Sequence, residues 1–293
     1  MRRFNSQLLN DAVQKVYYGF DNYEIKYIDK SNDTVYIFFS SNGLYYPDDV
    51  ETFNKQIGEN NYYEWKKLSC HQLILSKACK IIFVRDVYKS WYIQGISNKL
   101  STQDKLADFL KSVTEGKRIV TIGVSAGGTA AILFGCLLKA DRIVAFCPQI
   151  NLYLANEQGQ ISGFDEFSAD EIRSKYLNLI PYIKQYTGIL IYVFPKRNFK
   201  DNSQYDLIKN ENNIKFFASD SKSHGVVFYP ENIAILIGET EEKVLELQEY
   251  FKTHKCSPSK FLRYTNGFFF FFKCISRSFV KKIFRKIKRY LER

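Results

Sequence analysis

Several residues and patterns that would point to a particular chemistry are scarce or missing in this chain. Its 293 residues include only three histidines, so imidazole chemistry must draw on His71, His224 or His254. The six cysteines, Cys70, Cys79, Cys136, Cys147, Cys256 and Cys274, form no C-x-x-C pair and no metal-ligand spacing, which argues against a zinc module or a dithiol redox centre. Cys136 and Cys147 lie in apolar runs and are expected to serve as small core residues. No Walker-type phosphate loop, dinucleotide glycine pattern or internal repeat is present, and no metal or tightly held cofactor is expected. No apolar run follows Met1-Arg-Arg-Phe-Asn-Ser, so a secretory signal is not expected and a reducing cytosol is.

What the chain does have is a serine between glycines. The segment Arg118-Ile-Val-Thr-Ile-Gly-Val-Ser-Ala-Gly-Gly-Thr129 runs from a β-branched apolar stretch through Gly123-Val-Ser125-Ala-Gly127 into the helix-forming stretch Ala130–Ala140. This is the layout of a nucleophile elbow. The serine sits on a strained strand-to-helix turn, so the residues two before and two after it must be small. Its hydroxyl projects above the sheet edge, and the following amide, that of Ala126, opens a helix and can stabilise an oxyanion. A tight turn with a capping serine would share the same pattern.

An elbow serine needs a base and an orienting acid, which in α/β-hydrolases follow in the chain order serine, acid, histidine. His71 precedes the elbow and reads as a surface or capping residue; His254 lies in a basic tail. His224, after the strand-like Ile214–Ala218 and before Gly225, occupies the required slot. The apolar run Gly188–Pro195 reads as a buried strand, followed by Asp201 and Asp206. Asp201 is favoured over Asp206 as the acid because it lies nearer the strand end, the structural alternative for either aspartate being a helix N-cap.

Upstream, Thr34–Phe39 reads as a strand ending in Ser-Ser-Asn-Gly43, so Ser41 or Asn42 is expected to supply the second oxyanion amide. The strand Lys80–Asp86 runs on into Val-Tyr-Lys-Ser-Trp91, and Arg85, Asp86 and Trp91 are expected to contact substrate, since an open α/β sheet binds ligands at its carboxyl edge. An Arg85–Asp86 ion pair would be the structural alternative. Strands separated by helical sequence predict an α/β domain with a mostly parallel sheet covered on both faces, over residues 1–251. Residues 149–187 form a polar and aromatic insertion, placed where a lid or a pair of surface helices would stand.

The formal charge of +11 is unevenly distributed. From Lys252 onward there are thirteen Lys or Arg residues and one acid, Glu292, whereas residues 1–251 are nearly neutral. This tail, residues 252–293, also carries Phe268–Phe272 and then Ile275, Phe279, Val280, Ile283, Ile287 and Leu291 at near-helical spacing. Such a basic helix with an apolar face predicts peripheral attachment to an anionic inner membrane, and not nucleic-acid binding. It cannot span, because Lys273 breaks the apolar run far short of the roughly 20 residues a bilayer requires.

Taken together, Gly-Val-Ser-Ala-Gly-Gly128, Ala140-Asp-Arg-Ile-Val-Ala-Phe-Cys-Pro-Gln149, Phe-Val-Arg-Asp86 with Ser-Trp-Tyr92, and Ser-His-Gly-Val-Val227 resemble the α/β-hydrolase-like proteins of bacterial capsule and surface-polysaccharide biosynthesis. The similarity extends over about residues 20–240. It implies an α/β-hydrolase-like fold with Ser125 as nucleophile, His224 as base and Asp201 as acid. It further implies O-acetylation of a surface polysaccharide or oligosaccharide with acetyl-CoA as donor. A carbohydrate esterase would share the same machinery, and a non-catalytic accessory protein would retain only the fold.

Overall fold

A computed structural model of the chain describes residues 4–267 apart from Gln160 and Ser162. Seven strands form one sheet: β1 (Tyr23–Tyr27), β2 (Thr34–Phe39), β3 (Ala78–Val84), β4 (Arg118–Val124), β5 (Arg142–Phe146), β6 (Ile189–Pro195) and β7 (Ile214–Ser219). Their spatial order is β1-β3-β2-β4-β5-β6-β7. All neighbours are parallel except β1, which runs antiparallel to β3. The segment Lys30–Asp33 joins β1 to β2 without forming a hairpin, since β3 lies between them. The expected α/β-hydrolase-like sheet is present.

Strand alternation sends side chains to two cores. Val35, Ile37 and Phe39 of β2 pack on one face with helices α2 (Gln103–Thr114) and α3 (Ala126–Leu137). Tyr36 and Phe38 face the other side, together with Ile81 and Phe83. Against that second face lie Ile233–Ile237 of a helix over Pro230–Gly238 and Val244 and Leu247 of one over Glu241–Thr253. Near the N-terminus α1 (Gln7–Gly19) is amphipathic, and its Leu9, Val13, Val16 and Tyr17 bury against Leu44, Tyr45, Phe53, Val87 and Tyr88. Thus α1 braces the loops that leave β2 and β3.

The boundary expected at residue 251 falls inside a packed segment. Cys256 bridges to Ser219 at the β7 edge, and Phe261 and Leu262 are fully buried, Phe261 against Phe217 and Phe228. Asp220 holds both Arg197 and Lys255. Residues 252–267 therefore belong to the body of the domain, because they cover its last strand. The remainder of the basic tail, with Phe268–Phe272 and the apolar face beyond, lies outside the described residues. Among the described residues no helix is long and apolar enough to cross a membrane.

Candidate active site

β4 delivers the chain to Ser125 with φ 55° and ψ −123°, a backbone conformation outside the ordinary L-residue regions that costs on the order of 1–3 kcal/mol. Two glycines make the turn possible. A Cβ on Gly123 would lie 2.0 Å from the Gly127 carbonyl oxygen, and one on Gly127 would lie 2.4 Å from that of Phe39. The Ser125 amide donates to the Phe146 carbonyl at 2.8 Å, which ties the elbow to β5. Ala126 opens α3, where the first amides have no intrahelical acceptor.

His224 lies in the loop after β7, and its Nε2 is 2.9 Å from Ser125 Oγ. Its Nδ1 is 2.8 and 3.0 Å from the two carboxylate oxygens of Asp201. The Asp201 side chain is 2% exposed and that of His224 is 39%, so the carboxylate works from inside the fold while the imidazole faces the opening. Asp201 stands in the first turn of a helix over Phe199–Asp206. Asn198 caps that helix by accepting the Asp201 amide at 3.2 Å, which frees the Asp201 side chain from capping. The Asn198 side-chain amide also donates to the Lys222 carbonyl at 3.1 Å, joining the acid and histidine loops. The pattern Asn198-Phe-Lys-Asp201 holds the signal for this arrangement, since asparagine caps a helix as well as aspartate does. Asp206 is remote from the histidine and pairs with Lys209.

Cys147 supports the histidine loop from below. Its thiol and the backbone of Gly225 meet at 3.3 Å in both directions, and burial pushes the thiol's pKa far up, so it stays protonated. The ligand atoms of Cys147, Asp201 and His224 lie within 4.8 Å of one another. Imidazole and carboxylate are paired with each other and the thiol with the Gly225 backbone, so the trio forms one hydrogen-bonded set.

Ser125 and His224 open on a cavity of about 420 Å³ that is also lined by Asn42, Tyr46, Asp48, Lys89, Trp91, Gln149, Asn198 and Lys200. Trp91 is among the lining residues, its indole Nε1 donating to Gln149 Oε1 at 3.0 Å. Gln149 is fixed in turn by its amide, which donates to Thr129 Oγ1 at 2.9 Å. The insertion over residues 149–187 consists of short helices, Leu152–Glu157, Phe164–Ser168, Glu171–Ser174 and Ile180–Gln185. Its Leu152, Ala155, Phe164, Phe167 and Leu177 pack on Trp91, Ile93 and Ala126, so it walls the nucleophile end of the site.

Two substrate-contact expectations are corrected. Arg85 is buried, donates from Nε to Asn22 Oδ1 at 3.0 Å and from its guanidinium to the Tyr62 carbonyl at 3.0 Å, and stacks 4.4 Å over Tyr63. Asp86 is equally buried and accepts the amides of Tyr88, Ser90 and Tyr92 at 2.9, 2.6 and 2.9 Å and the Ser90 hydroxyl at 3.1 Å. Neither lines the cavity. Asp86 turns inward because this sharply folded loop, in which Lys89, Trp91 and Tyr92 all adopt positive φ, has amides that need an acceptor, and Arg85 turns inward to partners outside it, Asn22 and Tyr62.

The oxyanion alternatives are also separated. The Ser41 amide donates to Glu64 Oε2 at 2.6 Å and is therefore committed, which removes Ser41 as a free donor. The Asn42 amide meets no acceptor among the described residues, and Asn42 lines the cavity. His71 caps the short helix Gln72–Leu75 through a 3.3 Å bond from the Leu73 amide, as its sequence position suggests. His254 stacks on Tyr250, remote from the site.

No protein-family model and no curated protein matches the chain. Among solved structures it is similar to the capsule O-acetyltransferase of Neisseria meningitidis serogroup A, with 18% identity over 80% of this chain and 91% of that one and a TM-score of 0.46. A histidine-to-alanine mutant of that enzyme in complex with CoA is similar at 16% identity, with the same coverage and score. A lipase-esterase related protein from Clostridium acetobutylicum shows 12% identity, 79% and 98% coverage and a TM-score of 0.41. At these values nothing about activity passes from those proteins to this chain.

Proposed function

We propose that this protein is a serine acyl-transfer enzyme that moves an acetyl group from acetyl-CoA to a hydroxyl of a surface polysaccharide or its oligosaccharide precursor. The observation that carries the reading is the continuous chain Ser125 Oγ, His224 Nε2, His224 Nδ1 and Asp201, set on a strained elbow at the mouth of a cavity. In the reaction, His224 Nε2 takes the Ser125 proton as Oγ attacks the thioester carbonyl. The Ala126 and Asn42 amides are the donors available to the resulting oxyanion. As the intermediate collapses, the carbon–sulfur bond breaks and His224 gives its proton to the departing thiolate. An acceptor hydroxyl then transfers its proton to His224 and attacks the acyl-enzyme, releasing ester and restoring Ser125. Asp201 holds His224 in the tautomer with the proton on Nδ1 and stabilises the imidazolium.

The wall is polar and aromatic, with Trp91 and Tyr46 beside Asn42, Asp48, Gln149 and Asn198, a lining that suits a polyhydroxyl acceptor. The basic, Phe-rich tail, read from sequence, would hold the enzyme at an anionic membrane surface. Incubation with labelled acetyl-CoA and capsule-type oligosaccharides tests the reading. Acetylated glycan should form with wild type, and Ser125→Ala should lose at least about 10⁴-fold in rate while remaining folded. Release of free acetate from acetylated glycan, without acceptor product, would make the protein an esterase. Undiminished activity in Ser125→Ala would overturn the serine mechanism.

A further inference from the structure

The segment between β2 and β3 holds the loop after β2 through two adjacent side chains. Trp65 donates from Nε1 to the Phe39 carbonyl at 3.1 Å, at the end of β2. Glu64 reaches the same loop two residues on, with Oε2 accepting the Ser41 amide at 2.6 Å and Oε1 accepting the Ser41 hydroxyl at 3.0 Å. The Ser41 hydroxyl oxygen in turn accepts the Gly43 amide at 2.9 Å. Asn42 is thus bracketed by two anchored neighbours, and its side chain donates to the Lys89 carbonyl at 3.3 Å. The carbonyls of Phe39 and Ser40 press on Gly127 at the start of α3, which places the loop beside the Ala126 end of the site.

We propose that Glu64 is a positioning residue that clamps residues 41–43 so that the Asn42 amide is held toward the carbonyl oxygen acted on by Ser125. This rests on the acyl-transfer reading. Glu64 does not line the cavity, so it acts only through the loop. An ionised carboxylate suits the task, since it accepts from an N–H and an O–H at once without supplying a competing donor. Burial raises the Glu64 pKa above its ordinary value against the opposing bonds from Ser41 and the charge of Lys89. The titratable groups around it are Lys89, which is paired with Asp48, together with Tyr62 and Tyr92. A carboxyl whose folded pKa is raised weakens the fold once the pH passes its unfolded pKa and it ionises, and this cost disappears as the pH falls. Stability therefore does not explain the charge, whereas preorganisation of an oxyanion donor does.

The test uses the full chain and hydrolysis of p-nitrophenyl acetate, with labelling of Ser125 by a fluorophosphonate as an independent measure. Glu64→Gln should lower kcat about 10- to 100-fold, leave KM within about twofold and leave Tm at neutral pH unchanged or higher. The acid limb of log kcat/KM should be steeper in the wild type than in the Gln variant, which has no carboxyl to protonate at this position. If Glu64→Gln does not fold, Glu64→Asp, whose shorter arm cannot reach both Ser41 groups, is read in the same assay with the same expected loss. Unchanged kcat and slope in a folded variant, with Ser125→Ala still inactive, would overturn the clamp alone. Wild-type hydrolysis and labelling that do not depend on Ser125 would overturn the acyl-transfer reading, and the clamp with it.

Discussion

Asp201 and Asp86 are both buried carboxylates at the carboxyl edge of one sheet, 2% and 3% exposed, and their partners set them apart. Asp86 is surrounded by amides of its own loop, so its charge is used up in shaping the turn from Asp86 to Tyr92. The amide of Asp201 is capped by Asn198, and its carboxylate reaches across to His224 on another loop. The contrast shows that burial and position at the strand ends do not identify a reacting group; what matters is whether the local backbone has already claimed its lone pairs.

Substitutions can break or sharpen this contrast. The largest effect should come from Asp201→Asn, which loses the tautomer bias on His224 and should slow turnover about 10³- to 10⁴-fold, with little change in unfolding midpoint. An Asn variant with near-normal kcat would remove Asp201 from the mechanism.

Deleting residues from Lys252 onward comes next. Complete burial of Phe261 and Leu262 is worth about 1.5–3 kcal/mol each, so this truncation should sharply lower the urea midpoint. Ending the chain at Gly267 should keep the midpoint and remove sedimentation with anionic vesicles. Vesicle binding that survives this shorter deletion would place the membrane contact elsewhere.

Asp86→Asn should destabilise by about 2–4 kcal/mol, because a carboxamide offers one acceptor oxygen to a ring of donors. Its kcat should fall only as far as the loop loosens. A stable Asp86→Asn protein with raised KM would instead restore Asp86 as a substrate contact. Smallest of all, exposed Asp206→Asn should stay within about twofold of wild type in activity and within about 0.5 kcal/mol in stability.

The chain's local chemistry announced the elbow, because Gly123 and Gly127 are demanded by steric contacts within a few residues of Ser125 and one neighbouring strand. It also announced the strands, through apolar runs of the right length, and the slot of His224, through its scarcity and chain order. Other features depended on distant partners. Arg85 turns from the cavity because Asn22, Tyr62 and Tyr63 receive it, and Ser41 gives way to Asn42 because Glu64 takes its amide from 23 positions away. Residues 252–267 read as tail because their basic charge dominates, yet Phe261 lies against Phe217, Phe228 and Phe251 once β7 is in place. Sequence by itself determined which residue types stand at the turns and strand ends, since steric and hydrophobic demands there are local. Only the tertiary structure decided which polar groups face the cavity, since that depends on which buried donors and acceptors the fold brings to them first.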